Sequence, residues 1–310
     1  MKSAKTVTSN ADDMARQGGV VASMTLLSRI SGLMRDVVLS YLFGASQLAD
    51  MFFVAFRIPN FFRRLFAEGA FNQAFVPVLM QYKTVGHAQL LGFIAPLSGL
   101  FATSLAAMVA LGVLFAPALA ALFAPGFLDQ PAIYQQTSDL VRITFPYLGF
   151  ISLTAYAAAL LNAHSHFALP AVTPVMLNLC LMLAAFVAIF DWIDAPSVVI
   201  VAWGVMAAGC VQLLMQLPTL ARLKLLPRPS IDHRHDGVRQ VGKLLLPAVF
   251  AASVAQINAL VNTILASTLI TGSISWLYYA DRLLELPVGL VAVALCLLYT
   301  SPSPRDIGES

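Results

Sequence analysis

Seven arginines stand within stretches of sequence that are otherwise apolar, and they are the residues best suited to chemistry in this chain. They are Arg29, Arg35, Arg57, Arg63, Arg64, Arg142 and Arg282. A guanidinium group stays charged, and its planar set of N–H donors matches the paired oxygens of phosphate and carboxylate groups. Arginines in apolar surroundings therefore indicate a site that binds an anion.

Acidic residues occur in the same apolar stretches and allow a second interpretation of these charges. They are Asp36, Glu68, Asp281 and Glu285. Internal salt bridges that only hold helices together would also explain such a mixture, because charges inside a membrane commonly pair with one another. Candidate pairs are Arg29–Asp36, Arg282–Glu285 and, near a predicted outer helix end, Asp139–Arg142. The slight excess of arginine over acid favours the anion site.

Helical periodicity places most of these charges on one face of each of three predicted helices. At about 100° per residue, the residues Ser28, Arg29, Gly32, Arg35 and Asp36 fall within one arc of about 120°. The same periodicity groups Arg57, Arg64 and Glu68 in a second helix, and Tyr278, Asp281, Arg282 and Glu285 in a third. Arg63 lies outside the charged face of the second helix, although Pro59 makes the angles approximate there. The pattern predicts three helices that line a shared aqueous cavity.

The composition shows which class of protein must hold these helices. Of 310 residues, 59% are hydrophobic and 11% are charged, whereas soluble domains carry about 25% charged residues. The mean hydropathy is +0.81. The net charge of only +3 is too small for the strongly basic surface that nucleic-acid-binding proteins carry. The chain contains no phosphate-binding loop, nucleotide fingerprint, HExxH motif or nucleophile elbow. We therefore expect a multi-pass membrane protein that is not an enzyme and needs no cofactor.

Eight stretches are long and apolar enough to be candidate membrane spans, each needing about 20 residues. They lie near 18–43, 52–82, 90–122, 138–161, 169–190, 198–220, 241–268 and 274–295. The first, second and eighth contain the embedded charges, so a hydropathy window should score them weakly. Prolines inside the spans predict bends, which neighbouring helices or a cavity can accommodate.

The distribution of basic residues between the spans predicts the orientation of the chain. With the N-terminus inside, the inner segments are 1–17, 83–89, 162–168 and 221–240, and with the bordering Lys243 they hold ten lysines and arginines. The outer segments 44–51, 123–137, 191–197 and 269–273 hold none, but they hold Asp50, Asp129, Asp191 and Asp194. The sequence therefore predicts a cytoplasmic N-terminal segment over 1–17, without a signal peptide, and a basic cytoplasmic loop over 221–240.

The last residues differ in character from the rest of the chain. From Cys296 the sequence reads CLLYTSPSPRDIGES, so an apolar span changes into a segment rich in serine and proline. CLLYTSPSPRD resembles the translation of a transposase adapter used in sequencing libraries. We expect 296–310 to be a non-native read-through tail, with a natural polar terminus as the alternative, and the native protein to continue past Leu295.

Several long motifs resemble the MurJ/MviN family, the lipid II flippases of bacterial peptidoglycan synthesis. They include RISGLMRD (29–36), PNFFRRLFAEGAF (59–71) and YYADRL (278–283), which occur in the family's order. The resemblance extends over nearly all of 20–295. It implies an all-α flippase fold of the multidrug/oligosaccharidyl-lipid/polysaccharide exporter superfamily, with two six-helix lobes around a central cavity. The chain would hold the complete first lobe (18–220) and the first two helices of the second lobe (241–295).

The resemblance also implies a substrate and a set of residues that bind it. The substrate would be lipid II, an undecaprenyl-pyrophosphate-linked disaccharide-pentapeptide, moved by alternating access across the bacterial inner membrane. Membrane lipids and the cell-wall synthesis machinery would be further partners. The arginines required by the family fall on Arg29, Arg35, Arg63 and Arg282, and cavity acids fall on Glu68, Asp281 and Glu285. The motif thus assigns Arg63 to the cavity where the helical phase does not.

Two transport alternatives and one other function remain open from the sequence. A flippase for another lipid-linked oligosaccharide would use similar chemistry, and the length of the motif match disfavours it. A cation-coupled multidrug exporter of the same superfamily would need an acid-rich site, whereas the charges here are in basic excess. A scaffold or receptor would not need charged faces on three helices.

Overall fold

Only helices form regular structure in the residues that the computed structural model describes, which are 2–226 and 228–284, with side chains except at 2–22, 66–69 and 255. The first elements are α1 (Lys2–Phe43), α2 (Gln47–Phe62), a π-helical stretch (Arg63–Ala70), α3 (Phe71–Val85), α4 (His87–Leu114) and α5 (Ala116–Phe123). A 3-10 turn (Pro125–Phe127), α6 (Pro131–Thr144), α7 (Tyr147–Ala163), α8 (Ala168–Ile189), α9 (Ser197–Arg222) and α10 (Asp236–Ser267) follow. Helical backbone over 273–284 forms α11.

Apolar helices of spanning length confirm a multi-pass membrane protein. Among the described residues, four such stretches are His87–Leu114, Pro131–Ala163, Ala168–Ile189 and Ser197–Arg222, and the two halves of α10, bent by 40°, make a fifth. These five are the third to seventh predicted spans. The other three predicted spans are those with embedded charges, for which low hydropathy was expected. The part of the eighth span from residue 285, and the predicted tail 296–310, lie outside the described residues.

Several spans differ in their boundaries from the sequence prediction. The helix α1 begins at Lys2, so residues 2–17 of the predicted N-terminal segment continue as one helix into the first span. The second span consists of α2, the π-helical stretch and α3 instead of one α-helix. The fourth span breaks between α6 and α7 beside Pro146, because proline has no N–H to donate and clashes with the preceding turn.

Two clusters of buried apolar residues form the core. The first contains most of α2 and joins it to α6, α9 and α11, and its aromatic rings include Phe53 stacked on Tyr278 with centroids 4.0 Å apart. The second joins α3, α4 and α7 around Phe75 and Tyr156, whose rings stack at 5.1 Å. The first cluster collects the predicted outer helix ends and the second the inner ends. Burial of α2 on nearly all sides makes it the central helix of the fold.

Two glycines on α4 differ in their surroundings and give a matched test of the packing. A Cβ atom at Gly99 would overlap the backbone of Ser230, whose N–H donates to the carbonyl of Ala95 at 3.1 Å, whereas a Cβ at Gly92 would meet no atom within 4 Å. We expect Gly99→Ala to lower the free energy of unfolding by about 1–3 kcal/mol through overpacking. Gly92→Ala should raise it by about 0.5–1 kcal/mol, because alanine is the better helix former.

Thermal unfolding of both variants in the same detergent would measure this difference. Equal shifts of the melting temperature for the two variants would contradict the close approach of the 223–235 connection to α4.

Candidate functional site

A cavity of about 1140 Å³ lies among α1, the π-helical stretch, α3, α7, α8, α9 and α11. Its charged lining residues are Arg29, Arg35, Asp36, Arg63, Arg64, Lys83 and Arg282. The lining also includes Asn162 and Ser165 at the predicted inner helix ends. Tyr147 and Ile151 belong both to this lining and to the first core cluster, so that cluster closes one end of the cavity. The described lining therefore has six basic residues against one acid.

The cavity brings together most, but not all, of the residues predicted from the sequence. Ser28, Asp36, Arg64 and the four arginines Arg29, Arg35, Arg63 and Arg282 all line it. The lining residues do not include Arg57 or Asp281, which the helical phase had placed on the same faces. The side chain of Glu68 and all of Glu285 lie outside the described residues.

The backbone of the second span changes at Arg63, a residue that the helical phase had put off the cavity face. The α-helical hydrogen bonding of α2 ends at Phe62, and the π-helical stretch begins at Arg63. A π-helix bonds residue i to i+5 and thus has a different angular step from an α-helix. The angles assigned at 100° per residue therefore do not hold within this stretch. Arg63, which the phase had put off the cavity face, and Arg64, which it had put on that face, both line the cavity.

Arg35 of the cavity wall bonds to three different side chains. Its Nε and Nη2 atoms donate to Oδ1 of Asp36 at 2.9 and 2.6 Å. Its Nη1 donates to Oδ1 of Asn178 at 2.9 Å, and Nη2 also donates to the hydroxyl of Tyr278 at 3.0 Å. Arg35 is 4% exposed and Asp36 is 7% exposed. This is a buried ion pair whose remaining donors are satisfied by two other helices.

Asp36 also links α1 to α11. Its Oδ2 lies 3.8 Å from Nε of Arg282, and its Oδ1 accepts a hydrogen bond from the hydroxyl of Tyr278 at 3.2 Å. The guanidinium of Arg282 stacks over the ring of Tyr278 at 5.3 Å. One carboxylate therefore contacts two arginines from two helices. Glu285, the other predicted partner of Arg282, lies outside the described residues.

Asn178 on α8 positions Arg35, a function that the sequence did not reveal. Besides accepting from Arg35, its Nδ2 donates to the carbonyl of Ser28 at 3.2 Å and to the hydroxyl of Ser31 at 2.9 Å. The sequence indicated only a general interhelical hydrogen bond for a polar residue in an apolar span. Periodicity gives the face of a residue but not its partner on another helix.

Arg57 and Asp281 form a second polar cluster that joins α2, α10 and α11. Nη1 of Arg57 donates to the hydroxyl of Thr263 at 2.7 Å, and its Nη2 lies 3.5 Å from Oδ2 of Asp281. These contacts, and their place outside the cavity lining, correct the prediction that both residues face the cavity. The neighbouring residues Asp281 and Arg282 thus bond to α2 and α1 respectively.

Asp50 ties the predicted outer end of α2 to the N-terminus of α11. It is 3% exposed, and its carboxylate accepts from the N–H of Gly272 at 2.6 Å and from the N–H of Ser275 at 2.8 Å. The hydroxyl of Ser275 donates to Oδ1 of Asp50, the oxygen that also accepts from the N–H of Ser275. A carboxylate at a helix N-terminus satisfies free N–H groups and the helix dipole together. The sequence had placed Asp50 only among outer-segment acids.

Asp139 and Arg142 form the ion pair predicted from their spacing. Both side chains are exposed, at 52% and 41%, so the pair contributes little to stability.

Among the described residues, no cluster of histidine, cysteine, aspartate and glutamate is arranged to hold a metal ion.

Together, the apolar helices and the basic cavity define a multi-pass membrane protein with a polar chamber inside its helical bundle. A family model described as "Lipid II flippase MurJ" matches residues 39–299. The chain belongs to this family, which is a family of transporters and not of enzymes.

Curated relatives agree with the family match. The chain is 46% identical over 294 residues to "Probable lipid II flippase MurJ" of Vibrio cholerae, covering 91% of this chain and 55% of that protein. It is 42% identical over 280 residues to "Lipid II flippase MurJ" of Burkholderia cenocepacia, covering 89% and 54%. The chain therefore spans about half the length of the curated relatives it matches.

A solved structure shows the same fold. The match to "Lipid II flippase MurJ, inward closed conformation" has a TM-score of 0.72 at 29% identity, and it covers 87% of this chain and 55% of that chain. This confirms the flippase fold that the resemblance implied.

Proposed function

We propose that the protein containing this chain flips lipid II from the cytoplasmic to the periplasmic leaflet of the bacterial inner membrane by alternating access. The proposal is supported by the relatives named as lipid II flippases and by the fold shared with an inward closed structure. The observation that carries it is the cavity of about 1140 Å³ with its excess of arginine. A pyrophosphate-linked headgroup is an anion of the kind that such a wall would bind.

Within this function, Arg29, Arg35, Arg63 and Arg282 bind the pyrophosphate and nearby anionic groups. Ser28 and Arg64 line the same wall and support that contact. Arg57 and Asp281 support it from outside the cavity by holding α2 to α11. Glu68 and Glu285 belong to the same family motifs, and we assign them to the charge balance of the cavity.

Asp36 occupies the place of the substrate anion in the unliganded state. Its carboxylate contacts Arg35 and Arg282, and a pyrophosphate that enters between the two arginines competes with it. Release of Arg282 from Asp36 loosens α11 from α1, so the substrate has different contacts in the two states. Such a difference in contacts is required for a ligand to shift a conformational equilibrium.

The orientation and the energy source follow from the same proposal. With a cytoplasmic N-terminus, the inner helix ends, where Asn162 and Ser165 line the cavity, lie next to the leaflet where lipid-linked precursors are made. No cofactor or nucleotide takes part, and each charge that crosses the membrane field contributes about 2.3 kcal/mol per 100 mV. Membrane lipids surround the protein, and the cell-wall synthesis machinery would receive its product.

The test is lipid II exposure on the outer leaflet of flippase-depleted cells that express the complete open reading frame containing this sequence. We expect exposure and growth to be restored, and both to be lost on Arg29→Ala or Arg282→Ala at unchanged protein level. Arg142→Ala is the matched control, because Arg142 pairs with Asp139 on an exposed surface and should retain activity.

Absence of lipid II exposure, with the protein present in the membrane, would contradict the proposed substrate. Normal growth with Arg29, Arg35, Arg63 and Arg282 all replaced would contradict the assigned function of the arginines. Blots of the membrane fraction, made for each variant, separate these results from a failure of expression.

A further inference from the structure

The part of the cavity wall formed by α8 and α9 is polar but uncharged. Gln212 and Gln216 of α9 both line the cavity, and their spacing of four residues puts them on one face of the helix. Both reach Thr173 on α8: Nε2 of Gln212 donates to its carbonyl at 2.8 Å, and Nε2 of Gln216 donates to its hydroxyl oxygen at 3.0 Å. The two amides are nearly completely buried, with 1% and 0% exposure.

These contacts determine which atom of each amide remains available. A carbonyl only accepts hydrogen bonds, so the group of Gln212 that faces the carbonyl of Thr173 must be the NH2. The hydroxyl of Thr173 donates its own proton to the carbonyl of Leu169 at 3.2 Å, so towards Gln216 it must accept. The NH2 groups of both glutamines therefore point at Thr173, and neither amide can be flipped without loss of a bond.

Two buried acceptors result from this arrangement. The Oε1 atoms of Gln212 and Gln216 are buried, and neither has a hydrogen-bond partner among the described residues. Buried polar atoms in proteins are almost always paired, and an unpaired one calls for an explanation. Gln212 and Gln216 lie on successive turns of one helix face that lines the cavity, so the two acceptors are close enough for one ligand that reaches this face.

The charge of the cavity selects the kind of ligand. Carbonyl oxygens bind cations as well as N–H and O–H donors, but the lining among the described residues has six basic side chains and one acid. A cation at these oxygens would be repelled by that wall, whereas a neutral donor would not. Since the oxygens are shielded from water, a donor that reaches them gains hydrogen bonds with little competition from solvent.

We propose that Gln212 and Gln216, held in place by Thr173, form a subsite that accepts hydrogen bonds from the hydroxyl or amide N–H groups of the uncharged part of the headgroup. This inference rests on the proposed function, in which the headgroup carries sugars and a peptide beside its pyrophosphate. The arginines would then recognise the charge, and the glutamines would recognise the glycan or peptide. Acceptors that are left unpaired discriminate strongly against ligands without the matching donor.

The experiment compares two ligands and two sets of variants. The complete protein in nanodiscs of neutral lipid is titrated with lipid II and with undecaprenyl pyrophosphate, which has the same anion but no sugar or peptide. Gln212→Met and Gln216→Met, singly and together, remove the acceptors at similar side-chain volume. Gln240→Met is the matched control, since Gln240 bonds to Gln81 on an exposed surface of α10.

We expect the wild-type protein to bind lipid II more tightly than undecaprenyl pyrophosphate. Loss of two hydrogen bonds should weaken lipid II binding by the double variant about 5- to 150-fold, with little change for undecaprenyl pyrophosphate. Gln240→Met should behave as wild type. Melting temperatures of all the variants show whether they remain folded.

Other results would overturn the subsite. Equal binding of the two ligands by the wild-type protein would do so without any variant. An equal loss of both ligands in the folded double variant would show a structural function of the glutamines, and an unchanged preference for lipid II would show that the acceptors hold only water. Failure of the wild-type protein to bind either ligand would instead overturn the proposed function, and the subsite with it.

Discussion

Arg35→Ala is expected to destabilise the protein and to abolish headgroup binding, whereas the double variant Arg35→Ala/Asp36→Ala should recover stability alone. In the single variant the buried carboxylate of Asp36 loses its closest cation, at 2.6 Å. Removal of one partner of a buried ion pair costs about 3–5 kcal/mol, because the other charge stays desolvated. Removal of both partners avoids that cost, but the arginine for the anion remains absent.

Chemical unfolding in detergent and titration with lipid II would measure the two effects separately. The matched control is Arg142→Ala, alone and with Asp139→Ala, because this pair is exposed and each change should cost less than about 1 kcal/mol. Recovery of lipid II binding in Arg35→Ala/Asp36→Ala would contradict a direct contact between Arg35 and the anion. Equal stability of the single and double variants would contradict the burial of the pair.

Asp50→Ala is expected to open the predicted outer end of the helical bundle. The change removes three hydrogen bonds to a charged group, two of them from backbone N–H groups at the start of α11. Hydrogen bonds to charged groups contribute about 1.5–3 kcal/mol each. Even a net loss of about 3 kcal/mol would change the ratio of closed to open molecules roughly 150-fold.

Cysteine labelling from the outer side would measure this opening. In a cysteine-free background, Ala266→Cys reports on a position that is 7% exposed. Its reaction with a membrane-impermeant maleimide should accelerate strongly when Asp50 is absent. Thr268→Cys, which is already exposed, is the control and should react at an unchanged rate. Equal rates at position 266 with and without Asp50 would contradict the capping function of this residue.

The parts of the site that could be predicted from sequence are those within one helix. Arg29, Arg35 and Asp36 share a face of a regular α-helix, so a constant angular step places them correctly on the cavity wall. The same step put Arg63 off the cavity face, although the residue lines the cavity. For Arg57 the angular step gave the face of the helix but not the helix that packs against it. That helix is α10, where Thr263 accepts a hydrogen bond from Arg57.

The parts that could not be predicted depend on contacts between distant helices. Asp50 bonds to residues 222 and 225 positions away, and no local pattern around it indicates a helix cap. Asn178 reaches Arg35 across 143 positions, and Gln212 reaches Thr173 across 39. Hydrophobic patterning leaves these pairings open, because many arrangements of apolar helices bury the same faces.

The partners of Arg35 also differ in when the ribosome makes them. Asp36 is the next residue, but Asn178 and Tyr278 follow 143 and 243 positions later. At a synthesis rate of about 5–20 residues per second, Tyr278 appears roughly 12–50 s after Arg35. During that interval Asp36 is the one of these three partners that already exists. The adjacent carboxylate therefore lowers the cost of placing Arg35 in the membrane before the rest of its binding site has been made.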